Sequence, residues 1–384
     1  MNILLSSCTH WWNAEAAYAA EAGRALADAG HQVWVLAQPG TRNWAQLEAR
    51  GLNLLGDIPL WSSHPLQLRA AMATLRRFQS QQAIQVVNVF RSRELPWHLW
   101  ATRGAGLGQQ GAAVVRTLGS ATPVKGHWLN RRLHRRVGLI ASAHVVRGQG
   151  AAALRREPAT VPVIHYPIAA GPLLPTAERL SAREALLREF GWPTDARVLM
   201  MVGRTAPEKG HPLLFRALQL LRETLPQARL LVVDKPTPGR PEYTAELHQM
   251  AREMGLGTHM AWAGWRDDLP RLMQAVDVGL ITSVASEVNC RVAVEFMAAA
   301  VPVVATPTGA LPEVVTHGET GWISADHTPE QMAELLGRVL PDTAACEGAG
   351  QHARAATEGR FSHGTFAAHT LAAYEDALRR TGGA

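Results

Sequence analysis

Short apolar runs alternate with longer helical stretches along the first 165 residues. Residues 2–6 form an apolar run, residues 14–29 are rich in alanine, and residues 33–36 are apolar again. Alanine favours helix, and Gly30 stands where glycine commonly ends one, so this segment predicts a parallel strand–helix–strand unit. Further strands are predicted at residues 84–89, 113–117 and 139–142. The alternation is typical of a doubly wound parallel sheet.

The same alternation restarts after a proline-rich segment. Five prolines fall between residues 158 and 175, which predicts a linker. Beyond it, strands are predicted at 198–202, 230–233, 261–263, 278–282 and 302–306, and helices at 211–223, 242–254 and 292–300. The chain is therefore predicted to be an α/β protein with a first domain at 1–165, a linker at 166–180 and a second domain at 181–364. An amphipathic helix near 365–380 is able to pack back on the first domain.

Composition agrees with two folded domains. A chain of 384 residues suits two cores, and 47% hydrophobic with 18% charged residues excludes a disordered chain. The formal net charge of +6 suits an anionic partner. Nucleic acid, a phosphorylated ligand and an anionic membrane all meet that description, and composition alone does not choose among them.

The cysteines and the hydropathy of the chain indicate the cellular compartment in which the protein is expected. Cys8, Cys290 and Cys346 are far apart and form no C-x-x-C pair, which argues against a disulfide framework or a structural zinc site and fits a reducing cytoplasm. The first residues lack the basic start of a signal peptide. Since no stretch approaches the roughly 18 apolar residues of a membrane span, we predict a cytoplasmic protein whose membrane contact, if any, is peripheral at the inner face.

The first candidate site follows the predicted strand at 198–202. Gly203 and Arg204 end that strand, and Lys209 precedes Gly210 and a predicted helix. Ligands of parallel sheets bind at the carboxyl ends of strands, and a helix N-terminus favours an anion. Arg204 and Lys209 are therefore candidates for binding a diphosphate. The alternative is two solvated loop cations.

The second candidate site is a pair of carboxylates eight residues apart. Glu287 lies in the loop after the predicted strand at 278–282, and Glu295 lies inside an otherwise apolar helix. A carboxylate among apolar side chains requires a partner, and a ligand hydroxyl would serve. A surface glutamate or an internal salt bridge is the alternative, and the spacing alone does not decide.

Two further segments contain glycine at positions that bear on ligand binding. Residues 303–313 place Gly309 between a predicted strand and helix, beside the same site. Gly104-Ala-Gly106-Leu-Gly108 has its third glycine misplaced for a dinucleotide-binding loop and follows a helix. No Asp-x-Asp pair occurs, so metal-clamping carboxylates of that type have no candidate.

Together these segments resemble the retaining GT-B glycosyltransferases of family 4. The resemblance covers about residues 180–325. It implies a GT-B fold, with two Rossmann-like doubly wound domains facing across a cleft. The motifs that carry it are Gly203-Arg204 with Glu208-Lys209-Gly210, the Glu287 to Glu295 spacing with Glu295-Phe-Met-Ala, Pro302-Val-Val-Ala-Thr with Gly309 and Glu313, and Gly318-Glu-Thr-Gly321.

The resemblance also implies roles for individual residues. Arg204 and Lys209 would bind the donor diphosphate, Glu287 the sugar hydroxyls and Glu295 the ribose, with Gly203 lining the site. Arg204, Lys209 and Glu287 would be the catalytic residues, acting without an obligatory metal or other cofactor and retaining the anomeric configuration. The residues after Glu287 would also bind the donor, through backbone amides that contact the sugar. Here the chain departs from the family, which usually has glycine after this glutamate: it has Val288, Asn289 and Cys290, which leaves the identity of the sugar open.

The first domain is expected to bind the acceptor. His10, Trp11, Trp12 and Asn13 follow the first strand, where tryptophan rings can stack on a sugar or simply fill space between domains. Arg116 ends the strand at 113–117, where the family often has polar residues, but the typical histidine is absent. His127 is near in sequence, and a surface imidazole is the simpler interpretation.

A basic run follows, at Arg131, Arg132, Arg135 and Arg136, next to apolar residues. Such a helix face suits peripheral attachment to anionic lipid, and a solvated face is equally consistent with the pattern.

The sequence therefore predicts a retaining glycosyltransferase of cell-envelope polysaccharide or glycolipid synthesis. It would move a sugar from a UDP-, GDP- or ADP-linked donor to a hydroxyl of a glycan, lipid-linked or small-molecule acceptor, and nucleic acid is not an expected partner. The alternatives are a GT-B nucleotide-sugar epimerase, which needs no acceptor, and a catalytically inactive nucleotide-sugar-binding scaffold subunit.

Overall fold

The chain forms two compact units in a computed structural model that describes residues 1–62, 64–102, 111–120, 124–236 and 241–382. The first unit comprises Met1–Pro167 with Phe361–Ala384, and the second comprises Ile168–Arg360. The glycine-rich segment at 104–108 lies outside the described residues. No helix in the described ranges is both long and apolar enough to cross a membrane.

The first unit is built on a six-stranded parallel sheet with the order β3-β2-β1-β4-β5-β6. Its strands are β1 (Asn2–Ser6), β2 (Gln32–Leu36), β3 (Asn53–Leu55), β4 (Val86–Val89), β5 (Ala113–Leu118) and β6 (Gly138–Ala141). Its helices are α1 (Ala14–Asp28), α2 (Arg42–Glu48), α3 (Pro65–Gln81), α4 (Leu95–Thr102), α5 (Trp128–His134), α6 (His144–Leu154) and, from the end of the chain, α15 (His363–Gly382).

Burial on both faces explains the apolar strands of this sheet. Ile3, Leu4 and Leu5 of β1 are fully buried, with β2 and β4 hydrogen-bonded on either side. Helix α15 packs against α1, β5 and β6, and the Tyr374 hydroxyl is 2.8 Å from the side-chain nitrogen of Asn88, which donates to it. The last helix therefore completes the core of the first unit.

The second unit repeats the architecture with the strand order β12-β11-β10-β7-β8-β9, all parallel. Its strands are β7 (Arg197–Thr205), β8 (Ala228–Pro236), β9 (Met260–Trp262), β10 (Val278–Ile281), β11 (Val303–Ala305) and β12 (Gly321–Ile323). Its helices are α7 (Thr176–Glu189), α8 (His211–Thr224), α9 (Pro241–Glu253), α10 (Leu269–Met273), α11 (Arg291–Ala298), α12 (Leu311–Val314), α13 (Pro329–Val339) and α14 (Thr343–Glu358).

Two doubly wound parallel sheets confirm the predicted fold class, with differences at short elements. Strands β3 and β12 were not predicted, because each has only two large apolar residues, next to Asn53 in β3 and Gly321 in β12. Helix α7 begins at Thr176, inside the segment 166–180 that the prolines had marked as a linker. In both sheets the chain order reverses between two neighbouring strands, β1 and β4 in the first and β7 and β10 in the second. The crevice at the carboxyl ends of such strands is the usual ligand site of an open α/β sheet.

Candidate functional site

Three loops meet at the carboxyl edge of the second sheet. They follow β7, β10 and β11, which are neighbours in that sheet. The loop after β7 is a 3₁₀ turn at Pro207–Lys209. Its backbone is joined to the loop after β10 by two hydrogen bonds: the Val284 amide donates to the Glu208 carbonyl (2.9 Å), and the Thr282 hydroxyl donates to the Lys209 carbonyl (3.0 Å). The loops therefore hold one another in place.

Two glycines allow this close approach. Gly210 and Gly309 both have positive φ, +72° and +59°. A Cβ on Gly210 would overlap the carbonyl oxygen of Thr282, and one on Gly309 would overlap the carbonyl oxygen of Glu287. That Glu287 oxygen accepts a hydrogen bond from the Ala310 amide (2.7 Å). Only glycine combines this conformation with this contact.

We expect Gly309→Ala to destabilise the second unit by about 2 kcal/mol, because the Glu287 backbone must move as well as the strained residue itself. Gly318→Ala is the matched control. Gly318 has φ +79° and no atom within 4 Å of its added Cβ, so it should cost only about 1 kcal/mol for the left-handed conformation. Chemical denaturation measures both. Equal losses would show that the contact with Glu287 imposes no constraint.

Lys209 and Glu287 form the centre of the site. The Lys209 Nζ lies 2.7 Å from Glu287 Oε2, and the Ser283 hydroxyl donates to the same oxygen at 2.8 Å. The two charged side chains are 24% and 13% exposed, so both are shielded yet reachable. A cation and a carboxylate held side by side can contact a phosphate and a hydroxyl of one ligand.

Arg204 stands closer to solvent than Lys209. Gly203 and Arg204 precede Thr205, the last residue of β7, and the Arg204 Nη2 donates to Glu208 Oε1 at 3.0 Å. The guanidinium side chain is 49% exposed. Arg204 therefore lies at the carboxyl end of β7, where the sequence predicted the site. Its salt bridge with Glu208 is at the surface, so an incoming anion can replace Glu208 as its partner.

The segment after Glu287 has an unusual backbone. Val288 is half-buried, and Asn289 and Cys290 are buried. Cys290 precedes α11 with φ +48°, a conformation that usually selects glycine or asparagine. Burial, followed by the nearby Glu287 charge, raises the pKa of the Cys290 thiol well above its ordinary value. The thiol is therefore protonated and not a nucleophile.

Glu295 finds its partner within its own helix. The Arg291 Nε donates to Glu295 Oε1 at 2.7 Å, one turn earlier in α11. This is the internal salt bridge that sequence patterns had left as an alternative to ligand contact. Both side chains are partly exposed, so the carboxylate can still accept from a hydroxyl.

Two residues of the site had not been predicted. Ser283 orients Glu287, as described above. His211, the first residue of α8, has a fully buried side chain. Burial first, and the adjacent Lys209 charge second, lower the pKa of His211 to about 4, so the imidazole is neutral beside Lys209 at neutral pH. Its position directly after Lys209-Gly210 was the available sequence signal.

The predicted acceptor residues of the first unit have different roles in the structure. His10 is exposed and Trp11 is 59% exposed. Trp12 packs on the core, with the Arg50 guanidinium 4.6 Å above its ring. Asn13 caps α1, where its side chain accepts from the Ala16 amide at 2.8 Å. Of the four residues, only Trp12 is partly buried; Asn13 is exposed like His10 and Trp11, but its side-chain oxygen is engaged at the helix cap.

Arg116 is buried near the carboxyl end of β5. It donates through Nη1 to His134 Nε2 (2.7 Å) and through Nη2 to the Ser92 hydroxyl. Burial lowers the pKa of Arg116 to about 10 and that of His134 to about 4. In the part of the chain that is described, Arg116 has hydrogen bonds but no salt bridge. His127 is exposed and caps α5 through Nδ1, which agrees with the surface imidazole interpretation.

A buried polar chain that had not been predicted joins β1 to α4. The Ser6 hydroxyl donates to Glu94 Oε2 at 2.7 Å, and His98 Nε2 lies 2.8 Å from the same hydroxyl. All three side chains are buried. Burial raises the pKa of Glu94 to about 7 and lowers that of His98 to about 3. The chain therefore runs from a neutral imidazole through a hydroxyl to a carboxyl group that titrates near neutral pH.

Among the described residues, no group of three His, Cys, Asp or Glu side chains is arranged to hold a metal ion.

Comparison with known proteins finds a family match within the second unit. Residues 182–356 match the family model for glycosyl transferases group 1. That segment contains the three loops described above, including Lys209, Glu287 and Glu295.

Two relatives match roughly half of this chain. D-inositol 3-phosphate glycosyltransferase of Corynebacterium glutamicum is 31% identical over 204 residues, which is 51% of this chain and 47% of that protein. Lipopolysaccharide 1,2-N-acetylglucosaminetransferase of Salmonella typhimurium is 32% identical over 165 residues, 42% of this chain and 43% of that protein. The chain thus matches about half the length of these relatives.

A solved structure extends the likeness to the whole chain. HepE of Anabaena, crystallised with UDP and glucose, superposes with a TM-score of 0.79 at 21% identity, covering 98% of this chain and all of that one. The superposition includes both six-stranded units, and the protein has the GT-B fold.

Proposed function

We propose that this protein is a retaining glycosyltransferase that transfers a sugar from a nucleoside-diphosphate donor to an acceptor hydroxyl. The observation that carries the proposal is the contact between Lys209 and Glu287, made by loops that follow neighbouring strands. It lies within the segment that matches glycosyl transferases group 1. The crystallised HepE complex contains UDP and glucose, so a UDP-sugar is the first donor to test.

The proposed binding mode divides the donor between the two charges. The Lys209 ammonium contacts the diphosphate together with Arg204, which exchanges its surface partner Glu208 for phosphate oxygens. Glu287, held by Ser283, accepts from the sugar hydroxyls. Glu295 accepts from the ribose while the hydrogen bond from Arg291 orients its carboxylate. His211 stays neutral beside Lys209 and so adds no competing charge at neutral pH.

The proposed reaction follows from this arrangement. The bond between the anomeric carbon and the β-phosphate oxygen breaks, and its electron pair leaves with the nucleoside diphosphate. The acceptor hydroxyl attacks the same face and passes its proton to the departing phosphate, so the configuration is retained. Negative charge grows on the phosphate as the bond breaks, and Lys209 and Arg204 stabilise it. The Cys290 thiol, protonated by burial, is not suited to form a covalent intermediate.

The acceptor is proposed to bind the first unit. His10 and Trp11 offer solvent-exposed polar and aromatic surface after β1, and Arg116 lies near the end of β5. The relatives named above act on D-inositol 3-phosphate and on lipopolysaccharide. We propose a polyhydroxylated acceptor of the same general kind, either a glycan, a lipid-linked glycan or a small molecule.

Calorimetric titration with UDP-, GDP- and ADP-glucose tests the donor site. We expect binding of one nucleotide class, weakened at least tenfold by Arg204→Ala because a phosphate contact to a cation is lost. Arg252→Ala, on α9, is the control for removal of an arginine. A protein that binds none of the three donors has no donor site of the proposed kind.

Release of nucleoside diphosphate tests turnover. We expect release to depend on an added acceptor fraction and the product to keep the anomeric configuration of the donor, as read by NMR. Donor conversion to an epimer without acceptor would instead identify an epimerase. Donor binding without any turnover across acceptor fractions would identify a nucleotide-sugar-binding subunit.

A further inference from the structure

Helix α5 presents a basic and aromatic face to solvent. At 100° per residue, Trp128, Leu129, Arg132, Arg135 and Arg136 fall within an arc of about 120°. Arg135 lies just beyond the helix but keeps helical backbone angles (φ −57°, ψ −37°), so the arc continues through Arg135, and the exposed Arg136 follows it directly. We call these five residues the α5 face.

The opposite side of α5 packs on the first unit. His134 is buried, where it accepts from Arg116. Arg131 is half-buried and its Nε donates to the Ala153 carbonyl at 3.2 Å. The helix is therefore anchored through residues outside the α5 face, which leaves that face outward.

Every residue of the α5 face is exposed. Trp128 is 73% exposed and Leu129 45%, which is unusual for side chains of this size next to one another. Residues 125–136 contain no Asp or Glu. Considering only the described parts of the chain, none of Arg132, Arg135 and Arg136 makes a salt bridge. The face is thus apolar and positive at once, without internal neutralisation.

Neighbouring elements add to the positive charge. The Arg156 Nη2 donates to the carbonyl oxygens of His134 (3.3 Å) and Val137 (2.8 Å), which ties the end of α6 to the end of α5. Arg380 of α15 is close enough that its charge, after burial, lowers the pKa of Arg156. Arg380 has Asp376 as a partner at 2.7 Å. Positive charges held close together repel one another, and binding of an anionic partner relieves this repulsion.

We propose that the α5 face docks on an anionic lipid bilayer. Trp128 and Leu129 would enter the interfacial region, where an indole ring is stabilised between water and hydrocarbon, while Arg132, Arg135 and Arg136 contact lipid phosphates. A nucleic acid would satisfy the arginines and could stack on Trp128. It offers no apolar phase for Leu129, so the adjacent pair favours a bilayer.

Co-sedimentation with vesicles tests this inference directly, using the full chain. We expect binding to phosphatidylglycerol–phosphatidylcholine vesicles and none to pure phosphatidylcholine. Replacing Arg132, Arg135 and Arg136 together by Glu should weaken binding on the order of 100-fold, since each cation near an anionic surface contributes about fivefold. Arg24→Glu, Arg69→Glu and Arg77→Glu form a matched control of three exposed arginines on α1 and α3, which should retain binding.

The apolar half of the face has its own readout. Trp128→Ala with Leu129→Ala should leave binding at low salt but lose it at high salt, where screening removes the electrostatic contribution. Circular dichroism checks that each variant is folded.

Three results would each overturn the proposal: equal binding to neutral vesicles, binding that the double alanine variant retains at high salt, or wild-type protein that does not bind anionic vesicles. Binding of an RNA or DNA oligonucleotide instead, through the same arginines, would identify a nucleic-acid surface.

Discussion

Lys209→Met is expected to lower the rate of sugar transfer by about 100- to 1,000-fold, the usual loss when one preorganised charge-stabilising group is removed. Methionine keeps the length and apolar stem of lysine and removes only the charge. The Lys209 ammonium lies 2.7 Å from Glu287 on the edge where the proposed diphosphate binds. Its charge is needed most when the phosphate departs, so kcat should fall more than KM rises.

The loss must be separated from damage to the fold. Removing Lys209 leaves Glu287 with the Ser283 hydroxyl as its side-chain hydrogen bond, and both charges of the pair retain some exposure. The stability cost should therefore be small compared with the effect on rate. Arg216→Met, on the exposed side of α8, controls for the loss of one positive charge from the same unit. If Lys209→Met were as active as Arg216→Met, Lys209 would have no role in the reaction.

The fold could be predicted from the sequence because most strands are buried on both faces. Runs such as residues 3–5 and 198–202 are apolar throughout, and a helix of different periodicity follows each of them. Strand β12 illustrates the limit: Gly321–Ile323 is short, and its place at the sheet edge is set by pairing with β11. The start of α7 at Thr176 was hidden by the prolines that precede it.

The site could be predicted only as far as topology places residues together. Lys209 and Glu287 are 78 positions apart, but each follows a strand, and the two strands are neighbours in a doubly wound sheet. That reasoning does not reach the partners that side chains select. Glu295 forms a salt bridge with Arg291, Arg204 forms one with Glu208, and the Asn13 side chain caps a helix. The internal salt bridge of Glu295 was one of the alternatives that the sequence left open, and the distances in the structure decide among them.

The buried chain of Ser6, Glu94 and His98 lies wholly beyond such patterns, since each residue is unremarkable in its own segment. His98 has a pKa of about 3 and is neutral, so its Nε2 carries the proton that Ser6 accepts, while Ser6 donates to Glu94. Hydrogen bonding from Ser6 favours the charged carboxylate, but burial outweighs it and holds the pKa of Glu94 at about 7. Glu94 is therefore protonated below neutral pH.

A raised carboxyl pKa makes the first unit less stable at higher pH. Between pH 4.5 and about 7 the folded state keeps a proton that the unfolded state releases, so the free energy of unfolding falls as pH rises. Each pKa unit corresponds to about 1.4 kcal/mol, and the rise from 4.5 to about 7 corresponds to about 3 kcal/mol. The contribution is fully present below pH 4.5 and is lost above about pH 7.

Glu94→Gln is expected to remove this dependence, because a neutral amide resembles the protonated carboxyl and does not titrate. The variant should gain about 3 kcal/mol relative to wild type between pH 4.5 and pH 8. Buried His134 and His211, with pKa values of about 4, act in the opposite sense below pH 6.5, so the difference between the two proteins is the quantity to follow. Hydrogen exchange of β1 and β4 in urea reports this difference for the first unit alone.

Glu48→Gln, on the exposed side of α2, controls for the loss of one negative charge. A difference between Glu94→Gln and wild type that stays constant with pH would mean that Glu94 is already ionised when folded, with its charge compensated by Ser6 and its neighbours.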